Sequence, residues 1–155
     1  MMENHKKITF DELKNELLPV IGGTIELLNF VDFSEKDCFK IIKKVEGWES
    51  KTDIDLLVDI EPEKYLSGNI IVLNDILFYN KLAFLVQLDK IKAFLSDYFN
   101  EYHESFFNGD VLLISIVNKK LLQFNHDGYL IIYDLPIKLI EKGVDKYMKS
   151  SSNNR

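Results

Sequence analysis

The chain has 155 residues, of which 46% are hydrophobic and 12% aromatic, and its 25 acidic and 19 basic residues give a formal net charge of −6. A chain of this length is expected to fold as one domain with a full hydrophobic core. The acidic excess argues against nucleic acid as a direct partner, because phosphate binding needs a footprint of lysine and arginine.

The sequence also lacks the signals of export and of membrane insertion. Its start, MMENHKKITF, has no apolar core of a signal peptide, and no window approaches 18 uninterrupted apolar residues. The single cysteine, Cys38, excludes an intrachain disulfide framework and suits a reducing compartment. We therefore expect a soluble, cytoplasmic protein that does not bind a membrane.

Two helices and one ambiguous segment are predicted before residue 47. Thr9 and Glu12 have the spacing of a capping box, so a helix is expected to begin there. Residues 24–33 favour a strand over a helical turn. A second helix is predicted over 35–46, because Ser34 is a good N-cap and the apolar residues after it have helical spacing: Phe39, Ile42 and Val45.

Residues 53–60 alternate in the manner of a strand. Four apolar residues face one way, namely Ile54, Leu56, Val58 and Ile60, and the other face carries Asp53, Asp55, Leu57 and Asp59. A period of two predicts a strand with one buried face and one acidic face, which Pro62 would end.

Further strands are predicted over 69–73, 76–79 and 82–87. From Asp89 the period becomes helical, and a wide apolar stripe predicts a helix that ends near Ser105: Ile91, Phe94, Leu95, Tyr98, Phe99 and Tyr102.

The C-terminal part predicts a three-stranded antiparallel meander. Its strands are expected over 111–117, 121–124 and 129–133, and the Asp127-Gly128 pair favours a tight turn before the last one. A final helix would begin at Pro136. The predicted fold class is therefore α+β, a mostly antiparallel sheet with helices packed on one side. Residues 1–149 would form its single domain and 150–155 a disordered polar tail.

No residue pattern predicts a cofactor, a metal site or an enzyme. The phosphate-binding glycine motifs are missing, and none of the three histidines has a second histidine at metal-ligand spacing. One alternative stays open, a small hydrolase or metal-dependent enzyme that uses His126 and Asp127 with a carboxylate from elsewhere.

Acidic residues crowd into positions 46–63, beside the only tryptophan. One interpretation is a solvated strand face whose charges prevent edge-to-edge aggregation. The other is a surface that attracts a basic protein, with an aromatic anchor at its margin. The residues of this predicted partner site are Glu46, Trp48, Glu49, Asp53, Asp55, Asp59 and Glu61.

One stretch resembles a known class of proteins. It runs over residues 85–135 and includes Leu88-Asp89, Tyr98-Phe99-Asn100-Glu101-Tyr102, Phe107-Asn108-Gly109-Asp110-Val111 and Asn125-His126-Asp127-Gly128-Tyr129. These segments resemble small bacterial immunity proteins of polymorphic and contact-dependent growth-inhibition toxin systems. The resemblance implies an acidic, non-enzymatic protein that binds and blocks a cognate toxin domain, commonly a basic nuclease. A further alternative is a regulatory module that forms a homodimer through the sheet edge.

Overall fold

Seven antiparallel strands form one sheet in the part of the chain that the computed structural model describes, residues 5–14 and 39–135. The strands are β1 (His5–Thr9), β2 (Phe39–Lys44), β3 (Asn69–Asn74), β4 (Leu82–Gln87), β5 (Val111–Ser115), β6 (Lys120–Phe124) and β7 (Tyr129–Asp134). Their order across the sheet is β1-β4-β3-β5-β6-β7-β2, and every neighbouring pair is antiparallel. The predicted α+β class with a mostly antiparallel sheet is confirmed.

Within the described residues, three helices lie between consecutive strands from β2 to β5. They are α1 (Asp53–Ile60), α2 (Asp75–Tyr79) and α3 (Ile91–Tyr102), and residues 10–14 are helical as well. Short 3-10 turns cover Trp48–Ser50, Pro62–Lys64 and Leu88–Lys90. Within the described ranges, no helix has both the length and the apolar character needed to cross a bilayer.

Several predicted elements are confirmed. Strands β3 and β4 and helix α3 lie where the sequence places them, and the Thr9 capping box is present, with the Glu12 backbone N–H 3.2 Å from the Thr9 hydroxyl. The meander forms as β5, β6 and β7, with Leu122 opposite both Leu113 and Ile132. The predictions for residues 24–33, for the helix from Pro136 and for the tail 150–155 lie outside the described residues.

The prediction of a strand over 53–60 is wrong, because local capping makes this segment helix α1. The Thr52 hydroxyl accepts the Asp55 backbone N–H at 3.1 Å, and the Asp55 carboxylate faces the Thr52 N–H in return. Asp53, Leu56 and Ile60 are the buried residues of the helix. These three residues are spaced three and four apart, so residues of the alternating pattern also fall on one face of a helix.

Two other predictions are also wrong. Residues 39–44 form strand β2, not a helix, and a bulge between Ile41 and Lys43 shifts its register on β7. The bulge places apolar residues at a spacing that imitates a helix. Residues 76–79 belong to helix α2, because the Asn74 side chain caps it by accepting the Leu77 N–H at 3.0 Å.

An aromatic cluster fixes α3 on one face of the sheet. The Phe94 ring lies 5.2 Å from both Phe84 of β4 and Phe106 in the segment after α3, and Tyr98 lies 5.1 Å from Phe106. The buried Asn74 amide donates to the Tyr98 hydroxyl and to the Phe106 carbonyl. Residues that face the other way on the central strands are buried too, among them Ile71, Ile114 and Leu121. The cluster therefore holds α3 and the segment 103–110 firmly beside α1.

A candidate protein-binding groove

A groove opens between the start of α1 and the outer side of α3. It encloses about 570 Å³, and its apolar wall consists of Ile54 from α1 and Leu95 and Phe99 from α3. Phe99 belongs to the apolar stripe of α3, yet 53% of its surface is exposed. The stripe is wider than the core it packs on, so this ring is left at the groove. Exposed aromatic rings of this kind are common at protein interfaces.

A second, more polar cavity adjoins the groove. It holds about 410 Å³ and is lined by Trp48, Glu49, Lys51, Ser105, Phe107 and Asn108. Glu49, Lys51 and Ser105 line both cavities, so the two form one continuous surface. The whole groove thus comprises both cavities, with an apolar end at Phe99 and a polar end at Trp48.

Asp53 lies at the base of the groove and holds its walls together. Only 7% of Asp53 is exposed, and its two oxygens accept the backbone N–H groups of Phe106 at 2.8 Å and Phe107 at 3.1 Å. Burial raises the pKa of this carboxyl above its usual value, while the two backbone hydrogen bonds oppose the shift. Asp53 therefore joins α1 to the segment after α3, and the prediction that it projects from an acidic face is wrong.

Asp55 and Asp59 lie on the solvent side of α1, four residues apart and on one helix face. Asp55 is used in the cap with Thr52. The Asp59 carboxylate lies 2.9 Å from the Lys51 ammonium. Both carboxylates therefore already interact with groups of the same chain, and neither residue lines the groove or the adjoining cavity.

The outer acidic residues of the predicted site also lie away from the groove. Glu61 pairs with Lys64 at 3.1 Å, and Glu46 lies 3.8 Å from Lys44. Glu49 is different, since it is exposed, lines both cavities and forms no ion pair with a described residue. Of the seven residues predicted as a partner site, the structure brings three to the two joined cavities: Trp48, Glu49 and Asp53.

His126 and Asp127 lie on the exposed turn between β6 and β7. The Asp110 carboxylate accepts the His126 backbone N–H at 2.8 Å and lies 3.1 Å from its Nδ1, so hydrogen bonding with Asp110 raises the pKa of the imidazole. The two side chains are 66% and 65% exposed. No three His, Cys, Asp or Glu residues in the described ranges are arranged to hold a metal ion. The turn gives a catalytic base little shelter from water.

Comparison of the chain with models of protein families, with curated proteins and with solved structures found no match. The resemblance of residues 85–135 to immunity proteins therefore stays a prediction. With no relative from which a function can be carried over, the groove and the charges around it are the evidence on function.

Proposed function

We propose that this protein is a non-enzymatic, cytoplasmic immunity protein that neutralises a toxin domain by direct contact at the groove between α1 and α3. The observation that carries the proposal is the exposed ring of Phe99 beside Ile54 and Leu95. An aromatic ring next to a partly buried apolar wall is the usual form of an interface hot spot. Burying it under a partner would remove apolar surface from water at about 25 cal/mol per Å².

The charge of the protein supports a basic partner. The net charge is −6, and the exposed Glu49 stands at the junction of the two cavities without an ion pair to a described residue. A surface of this sign attracts a basic domain during encounter and disfavours acidic competitors. A basic toxin domain, such as a nuclease, fits these requirements, and an inhibitor needs no further chemistry of its own.

A hydrolase centred on His126 has less support. Both His126 and Asp127 project from an exposed turn, and the hydrogen bond with Asp110 holds the ring at the surface. A general base is usually placed in a cleft within reach of a bound substrate. The groove is the better candidate for the functional surface.

The test is capture of a partner followed by a growth assay. The protein is immobilised and exposed to a lysate of its source organism at low and at raised salt. We expect one basic domain in a 1:1 complex, with retention that falls as salt rises. That domain, expressed alone in a bacterial host, should arrest growth, and co-expression of this protein should restore it. A captured domain that is harmless, or no partner at either salt, would contradict the proposal.

Matched variants locate the surface. Phe99→Ser should abolish capture, whereas Tyr79→Ser should not, because Tyr79 is an exposed ring on α2 that does not line the groove. Glu49→Lys and Glu63→Lys each make the net charge less negative by two, but only Glu49 lines the groove. Equal loss of capture in the two charge variants would show that only the overall charge matters.

A further inference from the structure

We infer that the polar end of the groove, between Trp48 and Glu49, is a subsite for an arginine side chain of the partner. The inference rests on the proposed function, since it names a group that a protein bound in the groove would carry. The argument uses the placement of the indole, the balance of charge around it and the shape of the guanidinium group.

The indole of Trp48 is held in place by the packing around it. Its ring lies 5.6 Å from the Phe124 ring at an interplanar angle of 87°. It also packs closely on the turn at Gly128, where a Cβ atom would lie 2.7 Å from Trp48 Cδ1. A half-buried ring with few rotatable bonds loses little conformational entropy when a ligand packs on it. Trp48 therefore provides a rigid wall of the cavity.

The charge at this end of the groove is negative. Lys51 lines the cavity, but its ammonium lies 2.9 Å from Asp59, so its charge is matched. Glu49 is exposed and forms no ion pair with a described residue. Asp53 lines the adjoining cavity, and its carboxylate accepts hydrogen bonds from backbone N–H groups alone among the described residues. An apolar occupant would desolvate Glu49 without pairing it, which is costly.

A guanidinium suits this cavity better than an ammonium does. It is planar, so it can pack on an indole ring while it donates two parallel N–H groups to a carboxylate. Ser105 and Asn108 line the same cavity, and a serine hydroxyl or an asparagine amide oxygen can accept its remaining N–H groups. A lysine could satisfy the charge but not the flat contact and the paired hydrogen bonds.

The test uses two small probes, N-acetyl-leucyl-arginine amide and the same dipeptide with neutral citrulline in place of arginine. Trp48 is the only tryptophan, so its indole N–H resonance and its fluorescence report on this cavity alone. We expect the arginine probe to shift both signals and to bind about tenfold more tightly than the citrulline probe, as a charge-assisted pair would. Glu49→Gln should remove that difference, and Glu63→Gln should keep it.

Equal binding of the two probes, no binding of either at millimolar concentration, or an unchanged preference in Glu49→Gln would overturn the subsite. These results are separable from the proposed function. If Phe99→Ser abolishes partner capture while Glu49→Gln leaves the probe preference intact, the arginine subsite is wrong and the groove is still the partner site. If the arginine probe binds as expected but no toxin is captured, the proposed function fails and the subsite stands.

Discussion

Removing the Asp53 carboxylate should destabilise the protein far more than removing any exposed acid nearby. In Asp53→Ala the backbone N–H groups of Phe106 and Phe107 lose their acceptors, and these residues are only 1% and 4% exposed. Each unsatisfied buried donor costs about 1–3 kcal/mol. An acid in the first turn of α1 also contributes about 0.5 kcal/mol through the helix dipole.

One effect opposes this loss, because alanine also removes the cost of burying a charged carboxylate, the cost that raises the pKa of Asp53. We therefore expect the free energy of unfolding to fall by about 3 kcal/mol, between the limits set by one and two orphaned donors. Urea denaturation at neutral pH measures it. Asp59→Ala, which breaks only a partly exposed pair with Lys51, should cost about 0–1 kcal/mol. A loss below about 1 kcal/mol for Asp53→Ala would refute this account of the two hydrogen bonds.

Three further predictions follow from named contacts. The stability difference between the wild type and Asp53→Ala should grow as the pH falls through the acid range. Because the pKa of Asp53 is higher in the folded state than in the unfolded state, protonation of this carboxyl stabilises the fold. That proton-linked stability is fully present below the unfolded-state pKa and is lost as the pH rises through the folded-state pKa. A difference that shrinks on acidification would contradict it. Gly128→Ala should lower the free energy of unfolding by about 2–4 kcal/mol, since it combines a φ of 88° with a Cβ 2.7 Å from Trp48 Cδ1. Gly47→Ala, with a φ of 67° and no closer contact than 3.9 Å, should cost about 1 kcal/mol. NMR titration should place the pKa of His126 above its usual 6.5, and Asp110→Asn should lower it. The stability that His126 contributes, measured against His126→Asn, should be present below pH 6.5 and disappear as the pH rises through the raised pKa. A pKa that Asp110→Asn leaves unchanged would refute that pairing.

The elements that the sequence predicts correctly are those whose signals are local. The meander 111–134 joins short apolar strands through two connections of four residues each, and α3 repeats its apolar residues at helical spacing over three turns. The sequence does not reveal strand β2, because the bulge distorts the alternation that marks an edge strand. Helix α1 does have a local signal, because Thr52 and Asp55 have the spacing of a cap, and this signal outweighs the alternation in a segment of eight residues.

The candidate site could be predicted only in part. Trp48 and Glu49 stand out by composition, but the groove exists because Asp53 binds backbone groups more than fifty residues away. The exposure of Phe99 depends on how α3 packs beside α1, and the sequence placed that residue in a stripe that was expected to face the core. Contacts at such separation are set by tertiary packing and leave no local pattern.

The measurement that tests the central claim most directly is a growth-rescue assay with the captured toxin domain. Wild-type protein, Phe99→Ser, Glu49→Lys and Tyr79→Ser are co-expressed with the domain at equal soluble levels. The groove account predicts that wild type and Tyr79→Ser restore growth, whereas Phe99→Ser abolishes rescue and Glu49→Lys weakens it. In the matching binding assay, the loss caused by Glu49→Lys should be largest at low salt, because salt screens the charge that the variant alters. Full rescue by both single variants, Phe99→Ser and Glu49→Lys, would contradict the groove account and place the functional surface elsewhere.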